Sequence, residues 1–245
     1  QYLYATSSDA LYVNQYIENV ASLSVGATRL RITQQTRYPC DGRVVLTIEP
    51  QGVPWHGEVC LRIPDWSRSF ESMSGVYEPR ISPGSVTSTI RVNGSAVPAT
   101  DLRRGYFALR RDWTQGDVIE LSLPMPVLRV TSHPQVAANR GRVALQRGPI
   151  VYCIEAVDSG GRTRDIVLPR DAELRAEQRP DLLGGVTIVE GRARRPRPDG
   201  AEETVRLLAV PYAAWGNREV GEMDVWLPEE SPTSSQESDG KAGLR

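Results

Sequence analysis

Apolar and polar residues alternate with a period of two along most of the chain, the spacing of half-buried strands, and glycine or proline interrupts the alternation at short intervals. Leu11 to Ile17 reads as a first strand, and Leu30, Ile32 and Gln34 alternate with arginine and threonine in a second. Arg43 to Glu49 sets Val44, Leu46 and Ile48 opposite Val45 and Thr47, and Val59, Leu61 and Ile63 line one face of the next strand before Pro64 ends it. Ser88 to Val92 runs into Asn93-Gly94, the pair best able to take positive φ at both centres of a type I′ hairpin turn. Gly105 to Leu109 and Val118 to Leu123 flank Trp113 and the turn Gln115-Gly116-Asp117, which reads as an antiparallel meander. Many short strands without a helical period between them predict an all-β chain built as sandwiches.

Pro124-Met125-Pro126 withholds ladder donors and marks a boundary, after which a second module begins. There Val136 to Gln146 fits a strand or a short helix equally well, Ile150 to Ala156 is an apolar strand, and Val205 to Tyr212 and Glu222 to Leu227 supply more. Asp158 to Gly200 reads as loop-rich with one helical turn near Ala172 to Gln178. Glu229 to Arg245 offers nothing to bury and is expected to be a disordered tail.

At 245 residues the chain is long enough to bury a core without disulfides, and 40% hydrophobic with 24% charged residues is a globular composition. With 29 basic against 30 acidic side chains the net charge is -1, which argues against nucleic acid or an anionic membrane as partner. No apolar run is long enough to span a bilayer, and no leader is visible, so the expected compartment is the cytoplasm. The chain starts mid-pattern at Gln1-Tyr2-Leu3-Tyr4 without methionine, as a piece of something longer would.

Candidate chemistry is sparse. His56 and His133 are the only histidines, and Cys40, Cys60 and Cys153 are an odd number without metal spacing, so neither a metal site nor a disulfide framework is expected. Cys40 lies in a turn-like stretch, whereas Cys153 sits in an apolar strand as a packing thiol. Glu49, Asp65, Glu120, Glu155, Glu222 and Asp224 lie on or beside strands; glycoside hydrolysis needs two carboxylates at a set separation, but the solvated face of a strand is the ordinary place for each. Trp55, Trp66, Trp113, Trp215 and Trp226 would stack on sugar rings if exposed, and close the edges of a sandwich core if buried. The basic run from Gly191 to Pro198 has no interleaved aromatics and reads as a solvated loop, and Arg140, Arg142 and Arg147 lack the spacing of a phosphate loop.

Several phrases together carry a resemblance. "LYVNQYI" (11–17), "TQQTRYPCDGRVVLTIEP" (33–50), "LRIPDWS" (61–67), "VNG" (92–94) and "GYFALRRDWTQGDVIELSLPMPV" (105–127) come first. "ANRGRVALQRGPIVYCIE" (138–155), "LPRDAEL" (168–174), "LLGGV" (182–186), "PYAAWGNR" (211–218) and "GEMDVWLP" (221–228) follow. In this order, across about residues 2 to 228, they resemble the middle and C-terminal parts of glycoside hydrolase family 127, typified by β-L-arabinofuranosidases. The resemblance implies an (α/α)6 barrel followed by β-sandwich domains. It divides the chain into the end of the barrel and a connecting strand (1–20), a middle sandwich (21–126), a C-terminal sandwich (127–228) and the tail (229–245). It further implies a zinc-dependent retaining enzyme whose cysteine nucleophile, zinc-binding cysteines and glutamate lie in the barrel. No residue here matches those positions, so no catalytic or metal residue is assigned in this chain, its substrate-binding residues stay open, and zinc is expected in the missing barrel. Cys40 stands where the family pattern carries an aromatic residue. The expected role is scaffolding of that barrel, the intramolecular partner, with self-association of the chain as a further expectation. The alternative is an autonomous carbohydrate-binding module using exposed tryptophans.

Overall fold

The computed structural model describes residues 2–68, 75–80, 87–98 and 102–230. Among these every extended element is a strand or a short 3-10 turn, and no α-helix occurs. The strands are β1 (Tyr4–Thr6), β2 (Ala10–Val13), β3 (Asn19–Val25), β4 (Thr28–Thr36), β5 (Arg43–Pro50), β6 (Trp55–Arg62), β7 (Tyr77–Arg80), β8 (Thr89–Val92), β9 (Ser95–Val97), β10 (Leu102–Arg103) and β11 (Tyr106–Trp113). They continue with β12 (Asp117–Ser122), β13 (Val127–Ser132), β14 (Arg142–Arg147), β15 (Ile150–Glu155), β16 (Leu168–Pro169), β17 (Arg175–Arg179), β18 (Val186–Pro196), β19 (Glu202–Pro211), β20 (Met223–Asp224) and β21 (Leu227–Glu230).

Two sheets form the first sandwich, in strand orders β1-β2-β6-β11-β10 and β3-β4-β5-β12-β8-β9. Their facing residues share one core: Leu11, Val59, Leu61, Phe107 and Trp113 from the first sheet meet Leu30, Ile32, Val44, Leu46, Ile48 and Ile119 from the second. The period of two in Arg43 to Glu49 therefore points Val44, Leu46 and Ile48 inward as expected. The Asn93-Gly94 hairpin also forms, with φ of 50° and 77° and Val92 paired to Ser95. The meander does not. The turn after Trp113 carries the chain from one sheet to the other, so β11 pairs with β6 while β12 pairs with β5 and β8. Periodicity finds strands but is blind to which sheet receives them. At the far end of β12, Gly42 allows the chain entering β5 to lie close against Leu123, because a Cβ there would stand 1.7 Å from the Leu123 carbonyl oxygen.

The barrel remnant expected over residues 1–20 is not seen as helix among residues 2–20: β1 and β2 complete the first sheet, with β2 running parallel to β6 and Leu11 and Val13 in the core. The segment after β2 is fixed by Gln34, fully buried, whose amide donates to the Ile17 carbonyl at 2.7 Å.

The second module is one ten-stranded sheet, with the main order β16-β21-β14-β15-β19-β18-β17 and β13, β20 and β7 paired alongside. Core residues pack on both faces, around Val143, Tyr152, Ile154, Val189 and Leu207 on one and around Cys153, Ile188, Leu208 and Val210 on the other. The Asp158 to Gly200 region is turn-rich as expected but also supplies β16, β17 and the eleven-residue β18, and the helical turn expected near Ala172 to Gln178 is instead the start of β17. The arginines that made Gly191 to Pro196 read as solvated lie on this strand, with Ala193 fully buried between them. Near Val136 the ambiguity resolves into a 3-10 turn at Ala137–Asn139 followed by β14.

The modules are interlocked. β7, which lies in sequence between strands of the first sandwich, pairs with β13 of the second sheet. Arg147 and Thr187 donate to the Cys40 carbonyl at 2.7 and 3.3 Å. Glu229 and Glu230, placed in the tail by sequence, belong to β21, where they pair parallel to Leu168 and Pro169; the rest of that tail, 231–245, lies outside the described residues.

Candidate functional site

A groove of about 900 Å³ lies where the start of the chain meets the junction of the two modules. Four separate segments supply its aromatic lining: Tyr16 after β2, Tyr38 after β4, Trp66 after β6 and Tyr106 on β11; Pro149 of the second module closes one side. Tyr38 stacks on Trp66 with ring centroids 6.3 Å apart and an interplanar angle of 23°, and Tyr16 meets Tyr38 edge-on at 5.9 Å. The geometry is fixed by polar tips: the Tyr16 hydroxyl donates to the Arg62 carbonyl at 2.5 Å and the Tyr106 hydroxyl to Asn14 at 2.7 Å. Burial pushes the Tyr16 and Tyr38 phenols above their ordinary value, so both stay neutral. Tyr2, 81% exposed, and the exposed Ile17 stand at the rim. Such a surface offers flat apolar faces and a few hydrogen-bonding groups. Asp65, at its edge, is ion-paired with Arg68.

A second hollow, of about 880 Å³, lies over β17, β18 and β19 and is lined by charges that pair among themselves, Arg175 with Glu173 and Arg206 with Glu190.

The five tryptophans divide. Trp55 and Trp113 face one another across β6 and β11 and are buried, closing the core as tryptophans at sandwich edges do. Trp66 lines the groove, Trp226 stacks on Tyr77 at 6.0 Å, and Trp215 is 42% exposed beside Tyr212. Of the residues that line the groove, Trp66 is one of the five tryptophans the sequence draws attention to, whereas Tyr16, Tyr38 and Tyr106 come from distant segments and carry no local signal.

The carboxylates serve structure. Glu155, buried, accepts from the Gly216 N–H at 2.9 Å and from Arg218 at 2.5 Å, and Asp158 shares the same guanidinium. Glu222 and Asp224 both hold Thr163, at 3.2 and 2.7 Å. Glu49 pairs with Arg31, and Glu120 with Arg43. Burial pushes the thiols up, Cys60 to about 11 with Glu58 adding to the effect and Cys153 to about 12 with Glu155 adding, so both are protonated at neutral pH. Cys40 is half-buried. His56 sits on the surface with Nδ1 2.7 Å from Asp112, and His133 lies elsewhere, accepting from the Gln135 N–H. No three His, Cys, Asp or Glu side chains gather at metal-binding distance among the described residues.

The described residues thus form two interlocked, β-sandwich-like modules with an aromatic groove at their junction. Sequence comparison gives the family. Residues 10–125 match the middle domain of family 127 β-L-arabinofuranosidases, and residues 127–228 match the glycoside hydrolase family 127 C-terminal domain. The chain belongs to glycoside hydrolase family 127. It is 34% identical to a non-reducing end β-L-arabinofuranosidase of Bifidobacterium longum, over 87% of this chain and 32% of that protein. Among solved structures, a family 127 β-L-arabinofuranosidase from Geobacillus stearothermophilus superposes with a TM-score of 0.80 at 40% identity, over 94% of this chain and 35% of the other. A further family 127 β-arabinofuranosidase gives 0.86 at 34% identity, over 93% and 36%. The chain thus spans about a third of the length of the relatives it matches.

Proposed function

We propose that these modules are the non-catalytic part of a β-L-arabinofuranosidase-like glycoside hydrolase and that the aromatic groove seats its catalytic barrel. The observation that supports this reading is the position of the groove. It is walled by Tyr2, Tyr16 and Ile17 of the segment leading into the first sandwich, and it leaves apolar surface uncovered next to where a preceding domain would join. On this reading the reaction of the whole enzyme is hydrolysis of terminal β-L-arabinofuranosyl or related bonds. The nucleophile and the zinc belong to the barrel, and the residues present here hold that barrel in place.

The test is to assay the purified chain on aryl β-L-arabinofuranosides and a small panel of other aryl glycosides, with and without zinc and reductant. The expected result is no turnover above the protein-free control. Turnover that disappears in Cys40→Ser or Cys153→Ser would place a site within the sandwiches and overturn the reading. A hydrophobic dye should bind the isolated chain, and Trp66→Ala should reduce that binding. A role as a sugar-binding module draws on one observation, the exposed Tyr212–Trp215 pair, and binding to immobilised arabinan that Trp215→Ala abolishes would favour it instead.

A further inference from the structure

A sheet edge presents unpaired N–H and C=O groups, and proteins usually blunt it with lysine, proline, a bulge or extreme shortness. Most free edges of this chain follow that rule. β1, β9 and β10 have two or three residues, and β17 carries Arg175, Glu177 and Arg179. β3 does not. It is the outermost strand of its sheet, seven residues long, and its sequence Asn-Val-Ala-Ser-Leu-Ser-Val has no charge, proline or glycine. Its register with β4 is unbroken from Asn19 opposite Gln34 to Val25 opposite Thr28, so no bulge turns it away.

The two-residue turn at Gly26-Ala27 fixes which groups are free. The pair beside such a turn exchanges both hydrogen bonds, so Val25, Leu23, Ala21 and Asn19 bond inward to β4 while Val20, Ser22 and Ser24 direct N–H and C=O outward. Apolar surface accompanies this edge: Val20 is 59% and Ile17 52% exposed, and Leu23 is half-buried at the open margin of the core.

We propose that β3 pairs antiparallel with β3 of a second copy of this chain about a two-fold axis at Ser22. This register sets Ser22 against itself and Val20 against Ser24, and it pairs all seven residues, more than a two-fold at any other residue of the strand. With no charge on the strand, identical edges meet without repulsion. The flanks are complementary as well. The side chains of Glu18 and Arg29 make no ion pair among the described residues. In the proposed register Glu18 of one copy lies opposite Gly26 of the other, whose adjoining strand carries Arg29. Strand spacings put their Cα atoms about 12 Å apart, within reach of a glutamate and an arginine side chain. The two sheets then continue as one, and Leu23 of each copy extends the core of the other.

The experiment uses the full 245-residue chain, with light scattering after size exclusion from micromolar to several hundred micromolar protein. A concentration-dependent dimer is expected. Ser22→Glu sets two carboxylates against one another across the axis and should raise the dimer dissociation constant about tenfold or more, with circular dichroism and melting of the monomer unchanged. Ser22→Cys under a mild oxidant should cross-link to a dimer above the wild-type background of the native cysteines, since hydrogen-bonded partners lie about 5.5 Å apart at Cα. Ser24→Cys should cross-link only when mixed with Val20→Cys. A monomer at every concentration, a Ser22→Glu variant that associates like wild type, or no gain in cross-linking for Ser22→Cys would each overturn the proposal. So would association abolished by Trp66→Ala but not by Ser22→Glu, which moves the contact to the groove.

Discussion

Glu229 holds more of the second module together than its place near the end of the chain suggests, and Glu229→Gln tests this. Its side chain is 4% exposed and lies 2.5 Å from Arg80, 3.2 Å from Arg129 and 3.3 Å from Arg170. These three arginines come from β7, β13 and the residue after β16, so one carboxylate joins the strand inserted from the first sandwich to two parts of the second sheet. Arg129 decides the magnitude. It is 12% exposed and also donates to the Pro169 and Ala172 carbonyls; burial presses its guanidinium below the usual value, and Glu229 opposes that. Removing the negative charge strands Arg129 in a dry site, which costs about 3 to 5 kcal/mol when a buried pair is broken. Arg80 and Arg170 are 35% and 48% exposed and can turn to water, so they add about 1 kcal/mol at most. Glutamine retains the shape and one acceptor, which puts the expected loss near the lower end, about 3 kcal/mol. For a module of this size that is a fall in melting temperature of about 12 °C or more. Urea and thermal unfolding followed by tryptophan fluorescence and calorimetry measure it, and a Glu229→Gln/Arg129→Met cycle should show coupling of about 1 to 3 kcal/mol. A chain ending at Pro228 should lose at least as much against one ending at Glu230, since it also gives up the pairing with β16 and the Glu230–Arg194 contact. A Glu229→Gln variant within about 0.5 kcal/mol of wild type would refute the argument that this charge is structural.

Three further outcomes are expected. Thiol labelling of the native protein at pH 8 should modify Cys40 first, with Cys60 and Cys153 reacting only after unfolding, because burial holds both as thiols. As their folded pKa values lie above the unfolded value of 9.0, their contribution to stability is complete below pH 9 and is lost as pH rises through about 11 to 12; melting curves across that range check the sign. Asn93→Ala should cost about 2 kcal/mol in urea unfolding, since Asn93 combines φ of 50° with side-chain hydrogen bonds to Asp117 and the Val118 N–H; a loss no larger than that of an exposed strand residue would count against it.

Features that are local or rest on alternation were legible along the chain: the all-β class, the inward set Val44, Leu46 and Ile48, and the Asn93-Gly94 turn. Backbone conformation and the two-residue period are properties of neighbouring residues, and the order of family phrases is likewise linear. Tertiary structure decided the rest. The jump of the chain between sheets after Trp113, the insertion of β7 beside β13 and the parallel pairing of β2 with β6 are choices of partner, and the period of a strand is the same whichever partner it takes. Strand β18 was hidden because Arg192, Arg194 and Arg195 look solvated in one dimension, while burial of Ala193 and pairing to β19 make the same residues a strand. Glu229 looked like tail because its sequence offers nothing apolar to bury; its burial is made possible by three guanidinium groups from distant segments. The groove has the same origin: Tyr16, Tyr38, Trp66 and Tyr106 meet only because β2, β4, β6 and β11 end or begin at one corner of the sandwich, and their convergence is a property of the packed sheets.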